Sequence, residues 1–307
     1  MKIIPFAFTN WGLKGVETLI SKNHEVPFVF THPLTMDKNE NVWFDSINEL
    51  CNKNGIPIKE TISLNNDDKK LIKELNPDLI ISLNWRRLLP SSIYRLPPKG
   101  TINIHAGYLP KYRGFAPINW AIINGETEIA VTSHYIDETV DTGDIVFQKK
   151  IDVSLNETAY DVYEKALLSL PEVVNKSVLQ IESGTVKPIS QKNLKGFLCV
   201  KRFPEDGQIN WKLNRIQIYN LIRALSDPFP NAFFYNNNEK IFIKKAELIE
   251  DDIRGPPGRV YRTEDGIIVT CGYNHKENQA LLITEISVKE KTMNPKEYFT
   301  KLWHKLE

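Results

Sequence analysis

The chain has 307 residues, 41% apolar and 25% charged, the make-up of a soluble globular protein with length for two ordinary domains or one large one. A formal net charge of +1 shows no basic excess of the kind that dedicated nucleic-acid binders carry, and no stretch approaches the ~18 uninterrupted apolar residues of a membrane span. No nucleic acid and no membrane are therefore expected as partners. The cysteines, Cys51, Cys199 and Cys271, lie far apart without a CxxC pair and read as buried reduced thiols, which suits a cytoplasmic protein.

The opening MKIIPFAFTNWGLKG is too short an apolar run for a signal peptide and reads as a first strand over Lys2–Phe8. Gly12 and Gly15 then flank a turn into a helix over 15–23. EVPFVF is a second strand, and VWFDSINELCNKN has apolar residues at helical spacing up to Gly55. A helix follows over 67–75. DLIISL and TINI are short, nearly continuous apolar runs, as expected of strands buried on both faces in a parallel sheet. Pro117 fits the first turn of a helix that stops at Gly125, and strands follow over 129–136 and 144–148. This alternation predicts a Rossmann-like, mostly parallel α/β sheet with helices on both faces.

Residues 156–184 read as helical, with Pro171 either kinking the run or starting a second helix. After Ser190 the texture becomes polar and basic. One more helix is expected over 215–225, then short β runs (AFFYN, KIFIKKAEL, GRVYRT, GIIVTCG, ALLITEI) typical of a small barrel or sandwich. The expected organisation is a catalytic domain over 1–190, a linker over 191–210 and a β domain over 211–307. Exposed edges in the β domain allow a homodimer.

In open α/β sheets ligands bind beyond the carboxyl ends of the strands, where Asn103 and His105 fall. Alternation puts both on one face of their strand. An amide N–H that steadies an oxyanion beside an imidazole that moves a proton suits a reaction at a carbonyl. A purely structural Asn and His is the blander reading. Asp141, in the turn of YIDETVDTGDIV, lies over the same edge and supplies a carboxylate that would orient the imidazole. TNWGLKG has Gly12 and Gly15 but lacks the first glycine of a dinucleotide fingerprint. His24, His32, His105, His134, His275 and His304 show no metal-ligand spacing, so no metal is expected, and no nucleophile elbow is present.

Asn103-x-His105, then LPKYRG-x-x-P, then VTSHYIDETVDTGDIV together resemble the formyltransferases that use 10-formyltetrahydrofolate, along nearly the whole chain. The resemblance implies a Rossmann-like catalytic domain followed by an OB-like β-barrel. It places the catalytic trio on Asn103, His105 and Asp141, with His105 either a base for the amine or a protonated oxyanion stabiliser. It also implies a folate pocket at Trp85, Arg86, Leu88 and Val140.

Within that family the chain is similar to the enzymes that formylate an amino group on a nucleotide-linked sugar, the UDP-4-amino-4-deoxyarabinose type in particular. HAGYLPKYRGFAPINWAIINGETE follows that group, with Phe115 where it has a basic residue, so the sugar itself stays open. VTSHYI keeps His134, which tRNA-type relatives usually lack, although by itself His134 reads as structural. KRFPEDGQINW resembles the segment joining the domains. Methionyl-tRNA formylation is the alternative, and a binding module that kept the fold is a third. Relatives acting on tRNA carry a long basic insertion after the second strand, since phosphates demand cations. Here THPLTMDKNENVWFDS sets Lys38 against Asp37, Glu40 and Asp45.

The implied acceptor is a UDP- or dTDP-linked amino sugar of the 4-amino-4-deoxy type, used for surface polysaccharides such as lipopolysaccharide or O-antigen. Lys201 and Arg202 are candidates for its diphosphate. Trp11 is a candidate for the acceptor cleft, and Arg113 either orients the sugar or braces its own loop.

Overall fold

The computed structural model describes residues 1–34, 45–273 and 279–306. It divides into two compact units: Met1–Pro117, Glu128–Asp152 and Tyr163–Val200 form the first, and Ile118–Thr127, Val153–Val162 and Lys201–Glu307 the second.

The first unit opens with β1 (Ile3–Ala7) and α1 (Thr9–Ser21), followed by β2 (Val29–Thr31), α2 (Ile47–Lys53), β3 (Ile58–Glu60) and α3 (Asn66–Leu75). Next come β4 (Leu79–Leu83), α4 (Ser91–Tyr94), β5 (Thr101–His105) and the short β6 (Arg113–Gly114). After α5 (Pro117–Ile123), nearly all of it in the second unit, come β7 (Glu128–Tyr135), β8 (Ile145–Asp152), α6 (Ala159–Glu182) and β9 (Leu198–Cys199). The seven-stranded sheet runs β3-β2-β1-β4-β5-β7-β8. Strands β3 through β5 are mutually parallel, whereas β7 runs against β5 and β8 against β7. Every residue of β1 and β4 is buried, which is why both read as continuous apolar runs.

Three departures from the sequence reading have physical causes. Helix α1 begins at Thr9, and Gly12 and Gly15 lie inside it. A Cβ on Gly12 would stand 2.7 Å from the Ala7 carbonyl carbon and one on Gly15 2.5 Å from a Leu83 methyl. These glycines serve close packing of helix on sheet, not a turn. Pro171 lies inside a continuous α6. Strand β3 and helix α4, with 3 and 4 residues, are too short to show a period in the sequence. Part of the expected helix over 42–54 lies outside the described residues, as does most of the acidic segment after β2.

Helix α3 is closed by a capping box in which Asn65 and Asp68 bond each other's backbone amides. Its Ile72 packs with Ile4, Phe6, Phe30, Ile80 and Ile93, and Phe6 stacks on Phe30 at 4.8 Å. Strand order reverses between β1 and β4, the switch point at which open sheets bind ligands. Register pairs Ala7 with Leu83 and Leu83 with Ile104, so the carboxyl ends of β1, β4 and β5 form one edge.

The second unit contains α7 (Arg215–Leu225), β10 (Phe233–Asn236), β11 (Glu239–Leu248), β12 (Arg259–Arg262), β13 (Ile267–Thr270), β14 (Ala280–Val288), β15 (Lys291–Met293), α8 (Pro295–Tyr298) and β16 (Trp303–Lys305). Its antiparallel strands order as β10-β11-β14-β13-β12-β16, with β15 on β14, a barrel-like sheet around Trp211, Ile222, Phe234, Ile243, Val269 and Ile283. The fold class read from sequence is thus the one observed. No helix among the described residues is long and apolar enough to cross a membrane.

Candidate active site

Strand β5 carries Asn103 and His105 on one face, and the antiparallel register of β7 sets His134 directly opposite Asn103 and Thr132 opposite His105. Asp141 comes from the loop between β7 and β8, held in a left-handed conformation (φ 53°) that a short polar side chain tolerates. Asn103, His105, His134 and Asp141 meet at this edge. Asp141 Oδ2 accepts the Gly114 N–H at 2.8 Å and lies 3.6 Å from His105 Nδ1. Asp141 Oδ1 accepts from Asn103 Nδ2 at 3.3 Å and lies 3.3 Å from His134 Nε2.

Both imidazoles have their protons placed by carbonyls. His105 Nε2 is 2.7 Å from the Tyr112 oxygen, an acceptor only, so Nε2 carries hydrogen and Nδ1, facing Asp141, is the nitrogen that gains or loses a proton. His134 Nδ1 likewise donates to the Tyr135 oxygen at 2.8 Å, leaving Nε2 toward Asn103 at 3.2 Å. Gly107 makes room for the first ring: a Cβ there would stand 2.4 Å from His105 Nε2. Burial alone would push the Asp141 carboxyl up. The His105 and His134 imidazoles and the Gly114 amide outweigh it and hold the carboxyl well below the usual carboxylate range. An amide donor beside a carboxylate that two imidazoles flank is equipped to stabilise an oxyanion and to hold a proton.

The remaining predicted residues separate into groups. Trp11 is 3% exposed and donates its indole N–H to the Ile104 oxygen at 3.0 Å. It therefore braces β5 between Asn103 and His105, and its burial leaves little surface for a ligand. Arg113 donates through Nε and Nη2 to Gln191 Oε1, at 3.1 and 2.8 Å. Gln191, buried, donates in turn to the Asp141 and Gly143 carbonyls, so this pair ties the β6 ribbon to the Asp141 loop. Gln191 was not legible as a site residue because it sits in a polar run without periodicity.

At the carboxyl end of β4, Trp85 stacks on His32 at 3.7 Å and Arg86 lies 4.9 Å over Phe8. Leu88 is 75% exposed, and Val140 is half-buried beside Asp141. His32, which entered the sequence reading only in the search for metal ligands, organises this corner. Its Nδ1 donates to the Thr61 oxygen at 2.8 Å and its Nε2 accepts the Arg86 amide at 3.2 Å. Burial, helped by the nearby Arg86 and Arg87 charges and opposed by the Thr61 bond, pushes it down to about 4.

Lys201 and Arg202 belong to the second unit. Lys201 lies 5.8 Å over the Phe203 ring. Arg202 donates to the Asp206 oxygen at 2.7 Å and lies 4.9 Å over Trp120. Among the described residues no group of His, Cys, Asp or Glu is placed to hold a metal ion.

Comparison with known proteins matches residues 1–175 to the formyl transferase family and 201–302 to the formyl transferase C-terminal domain. A methionyl-tRNA formyltransferase of Caldanaerobacter subterraneus subsp. tengcongensis is 34% identical over 289 residues, 93% of this chain and 92% of that one. An N-formyltransferase from Helicobacter canadensis, solved with folinic acid and dTDP-3-aminofucose, superposes with a TM-score of 0.71 at 22% identity, covering 92% of this chain and 98% of its own. WlaRD, a sugar 3N-formyl transferase solved with dTDP and 5-N-formyl-THF, gives 0.68 at 22% identity over 95% and 98%. With the sheet-edge amide, imidazoles and carboxylate on one unit, and both family domains matched along its length, the chain belongs to the formyltransferase family.

Proposed function

We propose that the chain transfers the formyl group of 10-formyltetrahydrofolate to the amine of a UDP- or dTDP-linked amino sugar of the 4-amino-4-deoxy type, for surface polysaccharide synthesis in the cytoplasm. The observation that carries the choice of acceptor is charge. Between Thr31 and Ser46, directly after β2, Lys38 stands against Asp37, Glu40 and Asp45, where an RNA acceptor stem would need cations. Around the β6–β9 ribbon, which Gly114 bonds to Asp141, Phe115, Phe197, Leu198 and Val200 are exposed, in a stretch that also exposes Lys111, Lys192 and Lys195. Exposed apolar groups suit a deoxysugar or a base, and the lysines suit its diphosphate. The dTDP and dTDP-sugar present in the two solved neighbours support the same class.

In this reading the acceptor amine forms a C–N bond to the formyl carbon and the carbonyl electrons move onto oxygen. Asn103 donates to that oxyanion. The amine proton passes to Nδ1 of His105, and Asp141 stabilises the imidazolium that results. Collapse restores the C=O and breaks the bond to the folate nitrogen, which takes up a proton. Trp85, Arg86, Leu88 and Val140 form the folate side. Arg113 acts by holding the Asp141 loop through Gln191, and Lys201, next in the chain after Val200, supplies charge for the diphosphate. Arg202 engages its guanidinium on Asp206 and Trp120, so its part at the diphosphate is the lesser one.

The 34% identity to a methionyl-tRNA formyltransferase favours a second reading, with tRNA as acceptor. Calorimetric titration with UDP, dTDP and methionyl-tRNA separates the two. The proposal expects saturable binding of a nucleotide diphosphate and none of tRNA; the reverse pattern replaces it with the second reading.

A further inference from the structure

The family trio leaves out His134, yet it is buried in the same cluster, and its two ring nitrogens are both engaged. Because the Tyr135 carbonyl can only accept, Nδ1 holds hydrogen in every ionisation state. In the neutral ring Nε2 is then an acceptor; it faces the Asn103 amide at 3.2 Å and the Asp141 carboxylate at 3.3 Å, and of these two the amide is the one that can donate. The amide's orientation is itself settled: its nitrogen, not its oxygen, must face the Asp141 carboxylate.

Asn103 Nδ2, His134 Nε2 and Asp141 Oδ1 stand 3.2, 3.3 and 3.3 Å apart, a nearly equilateral triangle. The two acceptors therefore subtend about 60° at the amide nitrogen, whereas its two hydrogens diverge by about 120°. A single hydrogen can therefore serve both acceptors, which leaves the other to point at a third group.

We propose that His134 is a positioning residue for the oxyanion donor: its fixed Nδ1–H tautomer presents Nε2 as a second acceptor that, with Asp141, clamps one Asn103 hydrogen and aims the other at the formyl oxygen. The inference rests on Asn103 being the oxyanion donor. With Asp141 as sole acceptor the amide hydrogen swings toward Oδ1 and the second hydrogen turns off its line. Tight orientation of an oxyanion donor is what makes it effective, so the loss falls on turnover and not on binding.

Two measurements test this. The first needs no acceptor: nitrogen NMR of the whole protein with isotope-labelled histidine rings, the His134 signals assigned by their loss in His134→Gln. Under mildly alkaline conditions His134 shows a protonated Nδ1 and a bare Nε2, and the Nε2 signal moves in Asn103→Ala. Hydrogen on Nε2, or an Nε2 signal indifferent to Asn103→Ala, overturns the proposal. The second compares His134→Met with His134→Gln, whose side-chain oxygen reaches the place of Nε2. Met is expected to lower kcat about tenfold or more with both KM values within about twofold, and Gln to recover most of it. Equal losses in the two variants, or none in Met, overturn it. Should the Met variant fail to fold, the Gln variant and the NMR result still decide. Failure of every sugar nucleotide as substrate for the wild type counts against the acceptor assignment alone.

Discussion

Asp141→Asn keeps the shape of the side chain and removes its charge. The carboxylate faces His105 Nδ1 at 3.6 Å, and the side chain is 13% exposed. At that distance an effective dielectric of ~20 gives about 4.6 kcal/mol of attraction once the imidazole has taken a proton. The attraction arises only after the amine has given up its proton, so it belongs to the transition state and intermediate. Partial solvent access and the dipole that Asn retains reduce it by about half at most, which places the loss in kcat between ~50-fold and ~2,000-fold. Single-turnover transfer, followed by the change in folate absorbance as the formyl group leaves, measures it, and the KM for folate stays near that of the wild type. A kcat within about threefold of wild type would show that the Asp141 charge does not stabilise the imidazolium. The same variant has a stability signature. The Asp141 carboxyl is held low in the folded state, so its contribution is complete above the unfolded value of about 3.9 and is lost as pH falls through the folded value. Asparagine has no such dependence, and the stability difference between wild type and variant shrinks in acid.

Gly107→Ala puts a methyl 2.4 Å from His105 Nε2 and 2.7 Å from the Tyr112 oxygen. It is expected to lower kcat by ~100-fold while folate affinity, measured by fluorescence titration, changes less than about threefold; undiminished transfer would show that the ring tolerates displacement. His32, pushed down to about 4, is neutral in the folded protein, so its contribution is complete above the unfolded value near 6.5 and is lost as pH falls from there to about 4. This drop is up to ~3 kcal/mol, and His32→Gln, which does not titrate, removes it. Urea unfolding of both proteins at about pH 7 and about pH 4 checks this, and equal acid losses would disprove it.

Much of the site was legible because strand alternation is a local rule. It put Asn103 and His105 on one face, and the motif around Asp141 supplied the carboxylate. His134 was not legible as a partner, since the register of β7 against β5 pairs residues 31 positions apart and no local pattern encodes it. The bracing part of Trp11 was not legible for a related reason: an aromatic near a βα turn looks available, and only its bond to the Ile104 oxygen reveals a brace. Gly12 and Gly15 look like turn residues, but the demand on them is space against Ala7 and Leu83. His32 carries no sequence signal because its role comes from Thr61 and Arg86, brought to it by the ends of β2, β3 and β4. The β domain was legible in its strands but not in its strand order.

The identity of the acceptor decides what the enzyme is for. Its most direct test is to incubate the protein with 10-formyltetrahydrofolate and, separately, UDP- and dTDP-linked 4-amino and 3-amino sugars and methionyl-tRNA, scoring formylated product by mass. A formamide on a nucleotide-linked sugar and an unmodified tRNA are expected. Formylation of the tRNA with every sugar nucleotide untouched would overturn the sugar assignment.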